Sequence, residues 1–262
     1  MSNKYEEKAQ VISQKMLVDG IYDLVIKTDK IAKEAKAGQF VSVYSSNPAK
    51  LLPRPISLCG IDSDANTIRL VYRVTGENTG TEEFSKLKSG DTIRILGPLG
   101  NGFPVDSKKA FLIGGGIGVP PMLQLAKNMN KEGFGDFEII MGYRDKNTFL
   151  KDEFEKEAKT YIATEDGSLG TKGNVIDAIK ANSLKADVIY ACGPMPMLKA
   201  LKEYASENNM ECFISLEERM ACGIGACLAC VSKSKTKDHH TNVNNKRICV
   251  EGPVFDAKEV DI

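Results

Sequence analysis

The sequence predicts a multi-domain chain: an antiparallel β-barrel, an α/β domain built on a parallel sheet, and a small cysteine-bearing C-terminal domain. Three observations predict it. Short β-rich runs separated by turns fill residues 9 to 105, strands alternate with helical stretches from about 110 to 215, and three of the seven cysteines fall between Cys222 and Cys230. At 262 residues, 42% of them hydrophobic, the chain is long enough for two ordinary domains with real cores.

In the first block the runs are "YDLVIKT", "GQFVSVYS", "PISLCGID", "TIRLVYRV" and "DTIRILGP", separated by Gly, Pro, Asn and Asp. That spacing suits an antiparallel barrel or sandwich. In the second block "AFLIGG" leads into "PPMLQLAKNMNKE", "FEIIMGY" into "LKDEFEKEAK", and "ADVIYACG" into "PMLKALKEYASEN". Such alternation predicts a parallel sheet covered by helices. The third block has little periodicity, and its stretch Ser232–Lys246 reads as a polar exposed loop. Within that stretch His239 and His240 are candidate metal ligands, although paired histidines in a polar loop are more often simply solvated.

Lys plus Arg equals Asp plus Glu at 35 each, which argues against a nucleic-acid groove or an anionic membrane surface as partner. No run of about 18 apolar residues occurs, so no spanning helix is expected. The N-terminus "MSNKYEEKAQ" is polar and acidic, unlike a signal peptide. A cytoplasmic protein is expected, and clustered cysteines in a reducing compartment point to metal or redox work.

Cys222, Cys227 and Cys230 are spaced C-x4-C-x2-C, and Cys249 follows after eighteen residues. A two-iron cluster needs four thiolates, two per iron, and plant-type ferredoxins supply them with this spacing. Gly223 and Gly225 allow the tight turns that aim N–H groups at sulfur. The alternatives are a structural zinc, which usually takes two short ligand pairs, and buried core cysteines, for which a glycine-rich loop is a poor setting. Cys59 and Cys212 lie in apolar strands and read as core.

Two further stretches suit nucleotide cofactors. In "LLPRPISLCG" an extended segment offers Arg54 to a pyrophosphate and Ser57 to the polar edge of a flavin, though an arginine in a proline-rich turn is also common on plain surfaces. Further on, Gly76, Gly80 and Thr81 form a glycine turn opening a helix, where phosphate oxygens can sit. "AFLIGGGIGVPPML" reads as strand, glycine turn and helix, with Gly114, Gly115, Gly116 and Gly118 ahead of Pro120 and Pro121. It meets the dinucleotide fingerprint only in part. "VIYACGPMPML" repeats the arrangement with Cys192, Gly193 and Pro194. Two glycine turns at strand carboxyl ends predict a nicotinamide nucleotide crevice, the alternative being purely structural glycines. Glu165 and Asp166 in "YIATEDGS" are expected near the adenosine ribose and favour NAD, with Arg144 a contrary hint toward a 2′-phosphate.

The ordered set "RPIS", "GGGIGVPP" with "ACGPMPM", and "CGIGACLAC" resembles the ferredoxin–NADP reductase superfamily. Within it the chain resembles the family of electron-transfer subunits of NAD-dependent dihydroorotate dehydrogenase type B, through "GQFV", "SGDTIRILGPLGNGF", "SLEERMACGIGACLACV" and "RICVEGPVFD". The resemblance implies an FAD-binding barrel over residues 1–105, an NAD-binding α/β domain over 106–215 and a [2Fe-2S] domain over 216–262. It carries Arg54, Pro55, Ile56 and Ser57 to the flavin, with Val71, Tyr72, Arg73, Gly80 and Thr81 beside it, and Cys222, Cys227, Cys230 and Cys249 to the cluster. Two departures stand out: a longer gap before Cys249, and a "GENTGTEEF" turn extended by two residues.

A nicotinamide exchanges two electrons at once, a [2Fe-2S] cluster takes one, and a flavin can do both, so the flavin belongs between them. No acid, base or nucleophile is needed in this chain. The resemblance implies an FMN-containing catalytic dihydroorotate dehydrogenase partner that reduces the cluster, with electrons passing to FAD and then NAD+ in pyrimidine biosynthesis. Met220, Ile224 and Leu228 are candidates for contact with that partner, or for simple shielding of the cluster. Two rival readings remain: a subunit of an NAD(P)H-dependent ferredoxin or sulfide oxidoreductase, and a zinc-stabilised binding module.

Overall fold

The computed structural model describes residues 3–237 and 242–262. Strands β1 (Tyr5–Val18), β2 (Ile21–Lys27), β3 (Phe40–Tyr44), β4 (Arg54–Asp62), β5 (Thr67–Arg73) and β6 (Thr92–Leu99) close into an antiparallel barrel in the order β1-β2-β5-β4-β3-β6. Alternate side chains such as Leu24, Ile26, Val41, Val43, Leu58 and Ile95 fill its interior. Helix α1 (Ile31–Glu34) covers one side, and α2 (Gly80–Phe84) drives Phe84 into the barrel core. The sequence reading found five of these strands. The sixth, β1, is largely polar and buries Ala9 and Val11 on its barrel side, so its alternation is faint.

The second unit runs through β7 (Ala110–Gly115), α3 (Val119–Glu132), β8 (Phe137–Tyr143), α4 (Lys151–Glu157), β9 (Thr160–Thr164), β10 (Thr171–Lys172), α5 (Val175–Ala181), β11 (Val188–Cys192), α6 (Met195–Glu207) and β12 (Glu211–Ser215). Its sheet has the order β10-β9-β8-β7-β11-β12-β15, parallel except at the last pairing, where β15 (Val254–Asp256) runs antiparallel to β12. The C-terminal segment thus supplies an edge strand to the nucleotide sheet. The strand order reverses between β7 and β11, and the carboxyl ends of strands at such a switch point are where open α/β sheets bind ligands.

The barrel and the sheet unit are locked together. Ile21, Cys59 and Val71 of the barrel share one core with Val119, Met122 and Leu123 of α3. The Ile61 N–H donates to Gln124 Oε1 at 2.6 Å. Arg69 forks between the units. Its Nε and Nη2 meet Asp23 at 2.8 and 2.9 Å, and its Nη1 and Nη2 meet Glu153 of α4 at 2.6 and 2.8 Å.

The stretch Ser232–Lys246 is not the plain loop expected. Strand β13 (Val231–Lys233) pairs antiparallel with β14 (Asn245–Arg247), making a hairpin. The longer gap before Cys249 is taken up by this hairpin, which returns the chain beside Cys230. His239 and His240 lie outside the described residues.

Candidate functional site

The cysteine loop follows β12. Gly223 and Gly225 take φ of +69° and +87°, a conformation that only glycine adopts freely. These turns aim the N–H groups of Ile224 and Ala226 at Cys222 Sγ, at 3.4 and 3.3 Å. Burial would raise the Cys222 thiol, but those N–H groups and Cys227 outweigh it and hold it at about 7. The second pair is Cys230 and Cys249. The N–H of Ile248 donates to the carbonyl of Cys230 at 3.0 Å, and β14 pairs with β13, so the two cysteines meet. The Cys249 thiol donates to Cys230, which lowers Cys230 to about 6 and pushes Cys249 up. Cys227 is exposed and Cys222 half-buried, whereas Cys230 and Cys249 are buried.

The loop sits on the outer face of the barrel. Phe40 and Leu99 share a core with Met220, Cys230, Ile248 and Cys249. A Cβ on Gly223 would lie 3.1 Å from both Leu99 Cδ1 and Ser42 Oγ. Burial raises the Tyr44 phenol against the opposing effect of Arg94, and Cys222 is near enough to add to the rise. The C-terminal segment is pinned to the same end of the barrel, where Asn101 Nδ2 donates to the Glu251 carbonyl at 2.9 Å.

The flavin candidates divide between two faces of β4. Phe40 stands opposite Ser57, Val41 opposite Ile56, Ser42 opposite Pro55, and Val43 opposite Arg54. Opposed residues share a face, so Pro55 and Ser57 lie on the outer face with Phe40 and Ser42. Arg54 belongs to the other face, at the barrel end, where its chain passes the Gly80 turn: a Cβ there would be 3.4 Å from Arg54 Cγ. Arg54 Nη1 donates to the Leu52 carbonyl at 2.8 Å, which sets the side chain. Thr79 caps the N–H of Glu82 at 3.2 Å. The N–H groups of Gly80 and Thr81 open the helix, with no preceding turn to satisfy them. The Thr81 hydroxyl is taken up by the turn itself, accepting from the Thr75 N–H at 3.1 Å. Ile56 and Val71 are buried, in the barrel core and in the core shared with α3 respectively. Tyr72 is buried too, its hydroxyl 3.0 Å from Gln14 Oε1 and its ring edge-on to Phe84. For these three, backbone rather than side chain is what a ligand can reach.

At the sheet's switch point the two glycine turns touch. A Cβ on Gly115 would come 2.6 Å from Met197 Sδ, and one on Gly118 would strike the Cys192 carbonyl and the Gly193 N–H. Gly193 lies against Gly115. Gly118 is therefore demanded by close approach to backbone, whereas Gly115 and Gly193 meet chiefly the movable end of Met197. Gly116 is different: it takes φ +54° and faces open space, with Arg73 Nη2 at 3.8 Å from its Cβ position. Cys192 is buried, which pushes its thiol up. One residue here escaped the sequence reading. Glu217 keeps solvent access, yet surrounding chain raises its carboxyl above the ordinary range, with Arg73 opposing, and it is close enough to Cys192 to bear on that thiol. Its position just past the carboxyl end of β12, beside the switch point, was the available signal.

Arg144 and the acidic pair lie together after β8 and β9. The Asp166 N–H donates to the Arg144 carbonyl at 3.2 Å, and that of Glu165 to Tyr143 at 3.1 Å. The Asp166 carboxylate is held below its ordinary range by the Ser168 hydroxyl and by the Ser168 N–H, which donates to it at 2.9 Å. Glu165 is exposed.

The donor set suits a two-iron cluster. Its thiols stand as two pairs, Cys222 with Cys227 and Cys230 with Cys249, as two thiolates per iron require. Among the described residues no helix is long and apolar enough to cross a membrane.

Comparison with known proteins agrees with this geometry. The profile of the iron–sulfur cluster binding domain of dihydroorotate dehydrogenase B matches residues 217–261, and that of the oxidoreductase NAD-binding domain matches residues 112–203. Among solved structures, a chain of NADH-dependent reduced ferredoxin-NADP oxidoreductase superposes with a TM-score of 0.85 at 28% identity, covering 97% of this chain and 90% of that one. A ferredoxin NADP+ reductase from Neisseria gonorrhoeae shares the fold alone, at a TM-score of 0.65 and 17% identity over 77% of this chain and 91% of that one. The dihydroorotate dehydrogenase B (NAD(+)) electron transfer subunit of Geobacillus sp. (strain WCH70) is 44% identical over 97% of this chain and 98% of its own, and that of Fusobacterium nucleatum is 45% identical over 92% and 93%. At that identity over nearly its whole length, the chain belongs to the family of dihydroorotate dehydrogenase B electron transfer subunits.

Proposed function

We propose that this chain carries electrons between a catalytic dihydroorotate dehydrogenase subunit and NAD+, through a [2Fe-2S] cluster and FAD, as a step of pyrimidine biosynthesis in the cytoplasm. The observation that carries this is the single barrel face shared by Pro55 and Ser57 with Phe40 and Ser42, on which the four-thiol loop is seated. FAD, when bound, trades two electrons with a nicotinamide and single electrons with a cluster.

The residues divide the work. Arg54 and the Gly80–Thr81 turn would hold the flavin pyrophosphate, with Ser57 at the polar edge of the ring and the backbone of Ile56, Val71 and Tyr72 alongside. Cys222 with Cys227 would hold one iron, and Cys230 with Cys249 the other. Gly115, Gly116 and Gly118, with Cys192 and Gly193, would shape the crevice for NAD, where Arg73 and Glu217 set the local charge. Working boundaries of 1–105, 106–215 and 216–262 fit this division, with β15 reaching back into the middle unit.

An NAD(P)H–ferredoxin reductase reading shares the fold, but the 44% identity to electron transfer subunits outweighs the 28% identity on that side. The test uses the purified chain with an FMN-containing dihydroorotate dehydrogenase partner. NADH should reduce an artificial acceptor with the chain alone, and dihydroorotate-dependent NAD+ reduction should appear only when the partner is added. A chain that lacks flavin, iron and labile sulfide after anaerobic purification would refute the reading.

A further inference from the structure

Ser42 is fully buried, and its Oγ has no hydrogen-bond partner among the described residues. A buried hydroxyl left unpaired is costly and calls for an explanation, such as a group bound only in the working protein. Its surroundings narrow the choice. Ser42 stands between Pro55 on β4 and Leu96 on β6. Above it lies Gly223, the residue after Cys222, whose Cβ position is 3.1 Å from Ser42 Oγ. The next residue on the same face, Tyr44, is half-buried, with its ring covered by the Arg94 guanidinium at 4.0 Å. A small residue is needed for the loop to approach, and alanine would meet that need without an orphaned hydroxyl.

We propose that the Ser42 hydroxyl donates a hydrogen bond to a sulfur of the assembled [2Fe-2S] centre, a bridging sulfide or the Cys222 thiolate, and so tunes its potential from the flavin-bearing barrel. This rests on the cluster reading above. A donor aimed at cluster sulfur stabilises the more negative, reduced state. Ser42 is then a tuning residue positioned by β3, whereas the N–H groups of Ile224 and Ala226 act from within the loop.

The test compares the native chain with Ser42→Ala, both purified anaerobically with FAD. Iron, labile sulfide and FAD are measured first. The cluster potential then follows from a redox titration read by electron paramagnetic resonance, and exchangeable protons near the cluster from pulsed spectra in H2O and D2O. The variant should hold the same iron, sulfide and FAD. Its one-electron reduction should be about tenfold less favourable, about 59 mV lower, and one exchangeable-proton coupling should vanish. An unchanged cluster potential with that coupling retained overturns the proposal, as does a shift confined to the flavin. If Ser42→Ala fails to load a cluster, Ser42→Gly, smaller still and equally without a hydroxyl, replaces it. A lowered potential with the coupling lost supports the proposal, and a loaded Gly variant with native potential and the coupling retained sinks it. A native chain without iron and sulfide would instead bring down the cluster reading itself.

Discussion

Ser57 on β4 stands directly opposite Phe40 on β3, and Phe40 is packed in the same core as Cys230 and Cys249. Adjacent strands are about 4.8 Å apart, so the residue assigned to the flavin edge and the core behind the cluster are one strand apart. The spacing follows from barrel register and not from a flexible linker. Electron transfer between the two centres would therefore need no domain motion.

Serine at position 227 should empty the cluster and spare the flavin. Cys227 is the exposed member of its pair, and Cys222 lacks a second thiolate without it. In Cys227→Ser, iron and labile sulfide should fall to a small fraction of native while FAD content stays level, since Arg54 and Gly80 lie on another part of the barrel. Full iron retention would contradict the pairing.

The close-packed Gly118 and the open Gly116 separate in a pair of variants. Gly118→Ala places a methyl against the Cys192 carbonyl. The turns must part, and a displacement of about 1 Å at a reacting site can cost about 100-fold. NADH-driven reduction of the flavin should drop by about that factor, with FAD and iron unchanged. Gly116→Ala meets open space and suffers mainly from its φ of +54°, at about 1–2 kcal/mol. Stopped-flow reduction by NADH distinguishes them, and equal rates in both variants would refute this account of the crevice.

Much of this was legible in the sequence, for reasons that differ by element. Strand β7 and helix α3 announce themselves through an apolar run, a glycine turn and Pro120–Pro121. The four cysteines announce themselves by spacing. Strand β1 does not, because only its Ala9 and Val11 are fully buried in the barrel core, with Tyr5 half-buried against it. Strand β15 is three residues long and is recruited by a partner strand far back in the chain. Glu217 was hidden for a similar reason: its neighbours Arg73 and Cys192 are brought to it by the fold alone.

Acid should loosen the loop that precedes Arg54 before it unfolds the barrel. Glu83 on α2 accepts from the Ser46 N–H and hydroxyl, both at 2.7 Å, from Lys50 Nζ at 3.3 Å, and from the Ser45 hydroxyl. Burial opposes ionisation, but these donors bring its carboxyl down to about 2, against 4.5 for the free group. A lowered folded pKa means stabilisation that is complete above about 4.5 and is lost as pH falls toward 2. Native protein should therefore lose thermal stability and FAD across that window. Glu83→Gln should be weaker at pH 7 and show a smaller decline on acidification, as melting curves at several pH values would reveal. Parallel declines would argue against the assignment.

NADH should reduce the flavin faster than NADPH, by about tenfold or more. Asp166 is engaged by Ser168, but Glu165 remains exposed where the backbones after β8 and β9 meet. A carboxylate there accepts ribose hydroxyls and repels a 2′-phosphate. Arg144, on the adjoining backbone, pulls the other way. Glu165→Gln should narrow the preference, and Arg144→Ala should widen it. Steady-state rates with both nucleotides decide the matter, and a native preference for NADPH would reverse the assignment.

The chain should not oxidise dihydroorotate by itself. Taking hydrogen from a carbon acid needs a positioned base beside a flavin, commonly on a scaffold of its own. Here the six-stranded barrel and the seven-stranded sheet account for nearly every described strand, and the remaining pair, β13 and β14, closes the cysteine loop. No series of eight βα units is present among the described residues, in keeping with an electron transfer subunit that leaves the substrate to a catalytic partner. Of the three apolar residues that could either meet that partner or shield the cluster, Met220 is buried in the core with Cys230 and Cys249, while Ile224 and Leu228 are 48% and 44% exposed on the loop itself. Replacing both with aspartate places charge on that surface and leaves the four thiols intact. NADH-driven reduction of an artificial acceptor should persist in this double variant. Dihydroorotate-dependent NAD+ reduction with added partner should fall at least tenfold, as expected for charges forced into an apolar contact. Unimpaired coupled turnover in the double variant would move the docking surface elsewhere, and turnover of dihydroorotate by the chain alone would overturn the division of labour.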